Sequence, residues 1–331
     1  MRPLDYAGAM RSKSPRGIFL TALFTCALWF STCAAAGEGE LSRIVVFGDS
    51  LTDPGNAFVI THQVSVPPYQ LIPDFPYARG GHHFSNGKTW VEQFGRGLDM
   101  SNSVCSALAA RGKCSNYAVG GARARPGTLF DLSSQVAMFR SDFADFAKAE
   151  ALYVVHIGGN DLRDALEALA SDPIGATSMV IIHDALAAIA TNIAALASAG
   201  AREFLVVNAP NLALAPAIRL QGPGAQGAAQ FVSVTFNNHL VSVLAGLEAS
   251  LPVTIHRFDL YALVNAAVTA PAAFGLTVVD ATCITPGVIV HAECTHPDSY
   301  LFWDGIHPTR AGHAILARRV REVLGALPFD D

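Results

Sequence analysis

The sequence has few charges, no basic tract and a single long hydrophobic run. Only 15% of its 331 residues are charged, below the usual quarter, whereas 51% are hydrophobic. This composition excludes a chain that is disordered throughout, because there is ample apolar material for a core. The 22 Lys and Arg are outnumbered by 27 Asp and Glu and form no run, which excludes nucleic acid as a partner.

Several motifs of metal and enzyme sites are also missing. No Cys-x-x-Cys or His-Glu-x-x-His spacing occurs, so neither a metal nor another cofactor is expected. The Gly-x-Ser-x-Gly pentapeptide of a nucleophile elbow is absent as well. A Gly-x-Gly-x-x-Gly match at residues 222–227 follows no strand, so it predicts a loop before a helix. Five histidines in two long loops are expected to be solvated: His62, His82, His83, His291 and His296.

The hydrophobic run lies near the N-terminus, at residues 18–30. Basic residues precede it, three alanines follow it, and it is too short to span a bilayer comfortably. This pattern predicts a secretory signal peptide at residues 1–36, cleaved after Ala36, with Met10 as an alternative start. An uncleaved membrane anchor is the alternative. Residues 37–331 are predicted to form a single domain, secreted or periplasmic after cleavage.

Four cysteines remain outside the predicted signal peptide: Cys105, Cys114, Cys283 and Cys294. In an oxidising compartment they allow three disulfide pairings. The sequence-local solution, Cys105–Cys114 and Cys283–Cys294, is the prediction. Each short loop would stabilise the fold by roughly 2–3 kcal/mol in the chain-entropy model. Four buried free thiols are the alternative.

Apolar strands alternate with helices along the rest of the chain. Strands without polar alternation, separated by helices, predict a parallel sheet covered on both faces. The fold class is therefore α/β, a three-layer α/β/α sandwich with a five-stranded parallel sheet. The predicted strands are residues 43–47, 116–119, 151–157, 203–207 and 253–258. The predicted helices are residues 88–98, 135–149, 174–199, 226–251 and 308–327.

Polar residues and glycines follow these strands, at the edge where ligands of parallel sheets bind. Ser50 follows the first strand, Gly120-Gly121 the second and Asn160 the third. Asp304 and His307 share a loop before the last helix, where the carboxylate can orient the imidazole as a base. Each signal alone also fits a helix cap or a turn. Together they supply a nucleophile, a base, an orienting acid and oxyanion donors, the parts that acyl transfer needs.

The chain resembles GDSL-type esterases/lipases of the SGNH hydrolase superfamily, in particular the phospholipase/lecithinase/haemolysin branch. The resemblance spans nearly the whole predicted domain and implies a flavodoxin-like fold. It departs from the branch pattern at Pro54 and His156, neither of which is a catalytic position. The blocks that carry it are residues 47–56, 84–92, 116–122, 157–161 and 304–309.

The resemblance also implies roles for individual residues. Ser50 would be the nucleophile, His307 the base, and Asp304 the residue that orients it. The oxyanion hole would comprise the Ser50 N–H, a glycine N–H and the Asn160 side chain. Alignment of the second block places that glycine at Gly121, with Gly120 as the neighbouring alternative.

The implied function is hydrolysis of carboxylic esters, either lipid esters or short-to-medium acyl esters, through an acyl-enzyme. Polysaccharide O-deacetylation, or phospholipase or acyltransferase activity at the same site, is the alternative. The non-enzymatic alternative is an exported carbohydrate- or lipid-binding domain. The expected partners are a small-molecule or lipid ester and, transiently, a lipid surface, with a monomeric protein. The acyl-site candidates, for which ordinary loop packing is the alternative, are Phe58, Tyr69, Phe75, Tyr77 and Phe84.

Overall fold

The computed structural model describes residues 41–325. The predicted signal peptide and its cleavage site lie outside the described residues. The strands are β1 Arg43–Gly48, β2 Ala151–His156, β3 Glu203–Val207, β4 Thr254–Phe258, β5 Val278–Thr282 and β6 Tyr300–Phe302. The helices are α1 Asn56–Thr61, α2 Trp90–Arg96, α3 Leu132–Asp142, α4 Gly159–Ala168, α5 Ala176–Ser198, α6 Pro216–Arg219, α7 Pro223–Ser250, α8 Leu260–Thr269 and α9 Arg310–Val323.

The main sheet is parallel, with the strand order β1-β2-β3-β4. Alternate residues of each strand point to opposite faces, and both faces are buried. Phe47, Val155 and Val206 belong to one core cluster, which also contains residues of α3, α5 and α7. Val46 and Val154 belong to a second cluster, with residues of α2 and α9. These two clusters make the fold a three-layer α/β/α sandwich.

The predicted five-stranded sheet is wrong in its strand count, because the structure has four parallel strands in this sheet. Residues 116–119 do lie beside β1, where Tyr117 N–H donates to Val46 O and Val119 N–H to Gly48 O. The ladder is interrupted because Gly48 N–H donates to Gln135 Oε1 instead of to a carbonyl of this segment. Only an isolated bridge between Val46 and Asn116 remains on this side of β1. A side chain from α3 thus replaces part of the expected pairing.

Other differences concern elements that the pattern did not separate from loops. Helices α4 and α8 were not predicted, and neither was the two-stranded parallel pair of β5 and β6. Helix α7 begins at Pro223, so the glycine-rich residues 222–227 open a helix rather than form a loop before it. Proline is well placed there, because the first helical turn needs no N–H donor.

Both predicted disulfides, Cys105–Cys114 and Cys283–Cys294, are present. Cys283 and Cys294 border a small aromatic cluster that contains Tyr77 and Trp303, so this disulfide supports the segment preceding His307. Helix α5 has the length and apolar composition of a membrane span, but its Ile182, Ile189 and neighbours are buried in the core of the domain.

His156 is a buried histidine at the end of β2. Its Nδ1 accepts a hydrogen bond of 3.1 Å from Trp90 Nε1, and burial lowers the pKa of His156 to about 3. The unfolded chain takes up a proton near its ordinary pKa of about 6.5, whereas the folded protein does not. As the pH falls below about 6.5, His156 is therefore expected to reduce the free energy of unfolding by up to about 1.4 kcal/mol per pH unit.

A comparison with His156→Gln isolates this effect, since glutamine keeps an acceptor for Trp90 and does not titrate. Burial raises the pKa of Asp49 to about 7 and that of Asp53 to about 6, so these carboxyls stabilise the folded state as the pH falls. Their contribution cancels in the difference between the two proteins. Urea unfolding from pH 6 to pH 4 should show wild type losing stability relative to His156→Gln. Parallel curves would contradict this assignment.

Candidate active site

The loop after β1 brings Ser50 to the carboxyl edge of the sheet. Strand β1 ends at Gly48, where a Cβ would collide with Thr52 Oγ1 and would lie 2.6 Å from His156 O. The absence of a side chain therefore lets the chain turn tightly against β2. Leu51 N–H donates to Asp49 Oδ1 and Thr52 N–H to Asp49 O, which fixes the turn around Ser50.

Ser50, His307 and Asp304 form a continuous hydrogen-bonded chain. The Ser50 hydroxyl lies 2.8 Å from His307 Nε2, and His307 Nδ1 lies 2.8 Å from Asp304 Oδ2. All three side chains are largely buried, and Asp304 is completely so. With the Nδ1 proton held by Asp304, Nε2 is the acceptor that faces the serine. The structure thus brings together Ser50 and His307, which lie 257 positions apart in the chain.

Asp304 is itself held in place by three further donors. Its Oδ1 accepts from Ile306 N–H at 2.9 Å and from His307 N–H at 2.8 Å. Its Oδ2 accepts from the Tyr77 hydroxyl at 2.8 Å, in addition to the imidazole. These bonds compensate the carboxylate for its loss of water and fix its orientation.

Two of the aromatic residues proposed for the acyl site contact these side chains instead. Tyr77 bonds Asp304, and the Phe84 ring centroid lies 5.3 Å from that of His307. Tyr69 packs edge-on against Tyr77, at 5.4 Å between centroids. The alternative of ordinary packing therefore describes these three rings better. Sequence reasoning missed Tyr77 as a carboxylate partner, because nothing local relates it to a residue more than two hundred positions away.

The two candidate glycines differ in whether their N–H is available. Gly120 N–H donates to Asp53 Oδ2 at 2.8 Å, so it is already engaged. Gly121 has a φ of +80°, and within residues 41–325 no acceptor is found for its N–H. The Ser50 N–H likewise has no acceptor in the part of the chain that the structure describes. Of the two alternatives left open by the sequence, Gly121 therefore has the available donor.

Helix α4 carries the third predicted donor, Asn160, in its first turn. Asn160 Nδ2 donates to Ala122 O at 2.9 Å, beside Gly121. The neighbouring Asp161 is fully buried and accepts from Ala124 N–H at 2.7 Å and from Arg125 Nε at 2.9 Å. The loop after residue 119 is thereby tied to the start of α4, which fixes the positions of both predicted oxyanion donors.

A cavity of about 560 Å³ opens beside Ser50. Its polar wall contains Ser50, Asn160 and His307, and much of the remainder is aliphatic. The aliphatic wall comes from α4, α6, the start of α7 and the loops around them. Its residues include Leu51, Leu166, Leu169, Leu212, Ile218 and Ile306.

The prediction that the loop histidines are solvated is wrong for His83, which is buried. His82 stacks on Phe58 with 3.6 Å between ring centroids, and His83 Nε2 lies 2.7 Å from Glu92 Oε2. Burial disfavours charge on His83, but the contact with Glu92 outweighs it and raises the pKa of His83. Among residues 41–325, no group of three or more His, Cys, Asp or Glu is placed to hold a metal ion.

A serine hydroxyl bonded to an imidazole, which is bonded in turn to a buried carboxylate, is the arrangement of serine hydrolases. A family model for the GDSL-like lipase/acylhydrolases matches residues 44–320, more than half of the chain. The chain therefore belongs to the GDSL-like lipase/acylhydrolase family. It is accordingly an enzyme of the carboxylic ester hydrolase class.

The relatives cover nearly the full length of the chain. GDSL esterase/lipase At1g29670 of Arabidopsis thaliana is 26% identical, over 91% of this chain and 93% of its own. GDSL esterase/lipase At1g74460 of the same plant is 27% identical, over 92% and 94%.

Solved structures are more distant. Axe2, an acetylxylan esterase from Geobacillus stearothermophilus, is 17% identical with a TM-score of 0.44, over 87% of this chain and 95% of Axe2. A lipase/acylhydrolase from Enterococcus faecalis is 15% identical with a TM-score of 0.37, over 87% of this chain and 99% of its own. Similarity at this level carries no argument about the substrate.

Proposed function

We propose that the protein is a serine esterase that hydrolyses lipid or short-to-medium acyl esters through an acyl-enzyme. The observation that carries the proposal is the chain of two 2.8 Å hydrogen bonds from Ser50 through His307 to Asp304. It opens onto a cavity large enough for an acyl group. The activity needs no cofactor in this scheme.

In the proposed mechanism, His307 Nε2 takes the hydroxyl proton as Ser50 Oγ attacks the ester carbonyl carbon. The charge that develops on the carbonyl oxygen is stabilised by the N–H groups of Ser50 and Gly121 and by Asn160 Nδ2. His307 then returns the proton to the leaving alcohol, and the acyl-enzyme remains. Water, deprotonated by the same imidazole, attacks the acyl carbon and releases the acid.

The aliphatic wall supports an acyl chain longer than acetyl. Leu166 and Leu169, at the C-terminal end of α4 and just beyond it, offer apolar surface that an acetyl group would leave uncovered, as do Leu212 and Ile218. Each methylene that the wall buries contributes about 0.8 kcal/mol to binding. The rate should therefore rise with chain length until the cavity is filled.

A series of p-nitrophenyl esters from acetate to dodecanoate tests this proposal. We expect kcat/KM to rise about fourfold per added methylene, reach a maximum at medium length and then fall. An acetylated polysaccharide and a phospholipid vesicle measured alongside would identify the alternatives. Cleavage of acetyl esters alone would contradict an acyl-binding cavity and favour O-deacetylation.

Replacement of Asn160 tests the proposed oxyanion hole. Asn160→Ala should lower kcat by about 10²–10³-fold, as loss of one oxyanion donor does elsewhere, with little change in KM. Asn160→Asp is the matched variant, since it keeps the size but replaces the donor by an acceptor. Steady-state kinetics on p-nitrophenyl butyrate provide the measurement. A kcat within threefold of wild type for both variants would contradict the role of Asn160 as an oxyanion donor.

The setting of the enzyme is part of the same proposal. Two disulfides and the pattern of residues 18–30 support a secreted or periplasmic protein. We expect a monomer that meets lipid surfaces only transiently.

A further inference from the structure

Arg163 is a charged residue in the wall of the Ser50 cavity. Its Nε is buried and has no hydrogen-bond partner among residues 41–325. The nearest carboxylate oxygen in an ion pair is Glu167 Oε1 at 3.8 Å, and the Glu167 side chain is 71% exposed. A loose ion pair with an exposed glutamate contributes little to stability, so the Arg163 guanidinium keeps N–H donors that can bind another group.

Two other arginines that contact this helix, Arg123 and Arg125, are paired with its carboxylates. Arg123 Nε donates to Asp164 Oδ2 at 2.6 Å, and Arg125 Nε donates to Asp161 Oδ1 at 2.9 Å. These pairs neutralise the face of α4 that carries Asp161 and Asp164. Arg163, in contrast, has no carboxylate within hydrogen-bond distance of its Nε among residues 41–325.

The position of Arg163 relates it to the proposed reaction. Arg163 follows Asn160 by three residues on α4, so the two side chains share a face of the helix, and both line the cavity. The other ionisable side chains of this wall are Asp49, Glu167 and His307. Asp49 is occupied by the turn around Ser50, and His307 by the hydrogen bonds described above.

We propose that Arg163 binds an anionic group, a carboxylate or a phosphate, on the ester substrate. The inference rests on the proposed esterase function and adds a charge preference to it. A guanidinium presents paired donors that match both anions, and it keeps its charge at any physiological pH. The anionic group would lie about one helical turn, roughly 5 Å, from the carbonyl oxygen held by Asn160.

Two matched substrate pairs test the inference and distinguish the two anions. One pair is mono-4-nitrophenyl adipate and its methyl ester, which differ by a carboxylate on the acyl side. The other is 1-butyrylglycerol 3-phosphate and 1-butyrylglycerol, which differ by a phosphate on the alcohol side. For each pair, the anionic-to-neutral ratio of kcat/KM is compared between wild type and Arg163→Gln.

We expect this ratio to fall about 10–100-fold in Arg163→Gln for at least one pair, the loss typical of a charge-assisted hydrogen bond. The ratio for Arg163→Lys should lie between those of wild type and Arg163→Gln, because lysine keeps the charge but lacks the paired donors of the guanidinium. Glu167→Gln is the control and should leave the ratio equal or higher. The pair that responds identifies the anion. A fall of less than tenfold in both pairs would overturn the inference.

The design separates this inference from the proposed function. If wild type cleaves none of the four esters, the esterase proposal itself fails. If it cleaves the neutral esters and the ratios do not respond, only the role of Arg163 fails. Titration of active sites with a fluorophosphonate corrects each variant for the fraction of folded protein, so misfolding cannot imitate a loss of selectivity.

Discussion

Ser50→Ala is expected to lower kcat on p-nitrophenyl butyrate by about 10⁴–10⁶-fold. The hydroxyl is the group that bonds covalently to the acyl carbon in the proposed mechanism, so its loss leaves only the oxyanion donors and substrate binding. KM should change little, because the alanine methyl group occupies the place of the serine Cβ. The measurement is a steady-state assay with an active-site titration of the wild type for comparison.

Ser171→Ala is the matched control for this substitution. Ser171 is an exposed serine just beyond α4, and its hydroxyl donates to Ala168 O within its own turn of the chain. Its replacement should leave kcat within twofold of wild type. If Ser50→Ala kept more than a tenth of wild-type activity, the nucleophile would have to be another residue.

Asp304→Asn is expected to lower kcat by about 10⁴-fold, by reversing the hydrogen bonds around the imidazole. Both carboxylate oxygens of Asp304 accept from donors, so the NH2 group of an asparagine must face donors on one side. Facing the backbone, it would oppose two N–H groups. Facing His307, it would force the tautomer that carries its proton on Nε2 and cannot accept one from Ser50.

Tyr77→Phe provides the control for Asp304→Asn. It removes one of the four hydrogen bonds to Asp304 and leaves the charge in place. A loss of about tenfold or less in kcat is expected, in keeping with a net 0.5–1.5 kcal/mol for one hydrogen bond. An Asp304→Asn enzyme as active as Tyr77→Phe would contradict the orienting role of Asp304.

The sequence predicted the layered fold because burial on both faces leaves a clear pattern in each strand. Val46 and Phe47 contact opposite helical layers, so consecutive residues of β1 are apolar, which is visible in the sequence. The missing fifth strand depends on Gln135, whose side chain takes the Gly48 N–H. A single long-range side-chain bond of this kind has no signature in hydrophobic periodicity.

The same limit applies within the site. The residues that line up after the strands were identifiable, because a parallel sheet gathers its carboxyl ends at one edge. Whether Gly120 or Gly121 has an available N–H depends on where the Asp53 carboxylate lies, which only the structure shows. The aliphatic wall was also missed, since Leu166 and Ile218 come from short helices without a distinctive motif. Family membership was nevertheless recognisable, because the motif blocks kept their order.

Reaction with a fluorophosphonate probe, followed by mass spectrometry of the digested protein, tests the central claim most directly. A serine activated by His307 should take one phosphonyl group per chain, on the peptide that contains Ser50, with loss of activity in proportion to labelling. His307→Ala should label far more slowly, because the hydroxyl then has no base. Complete inactivation with the phosphonyl group on any other residue, or full activity with no label on Ser50, would contradict the account.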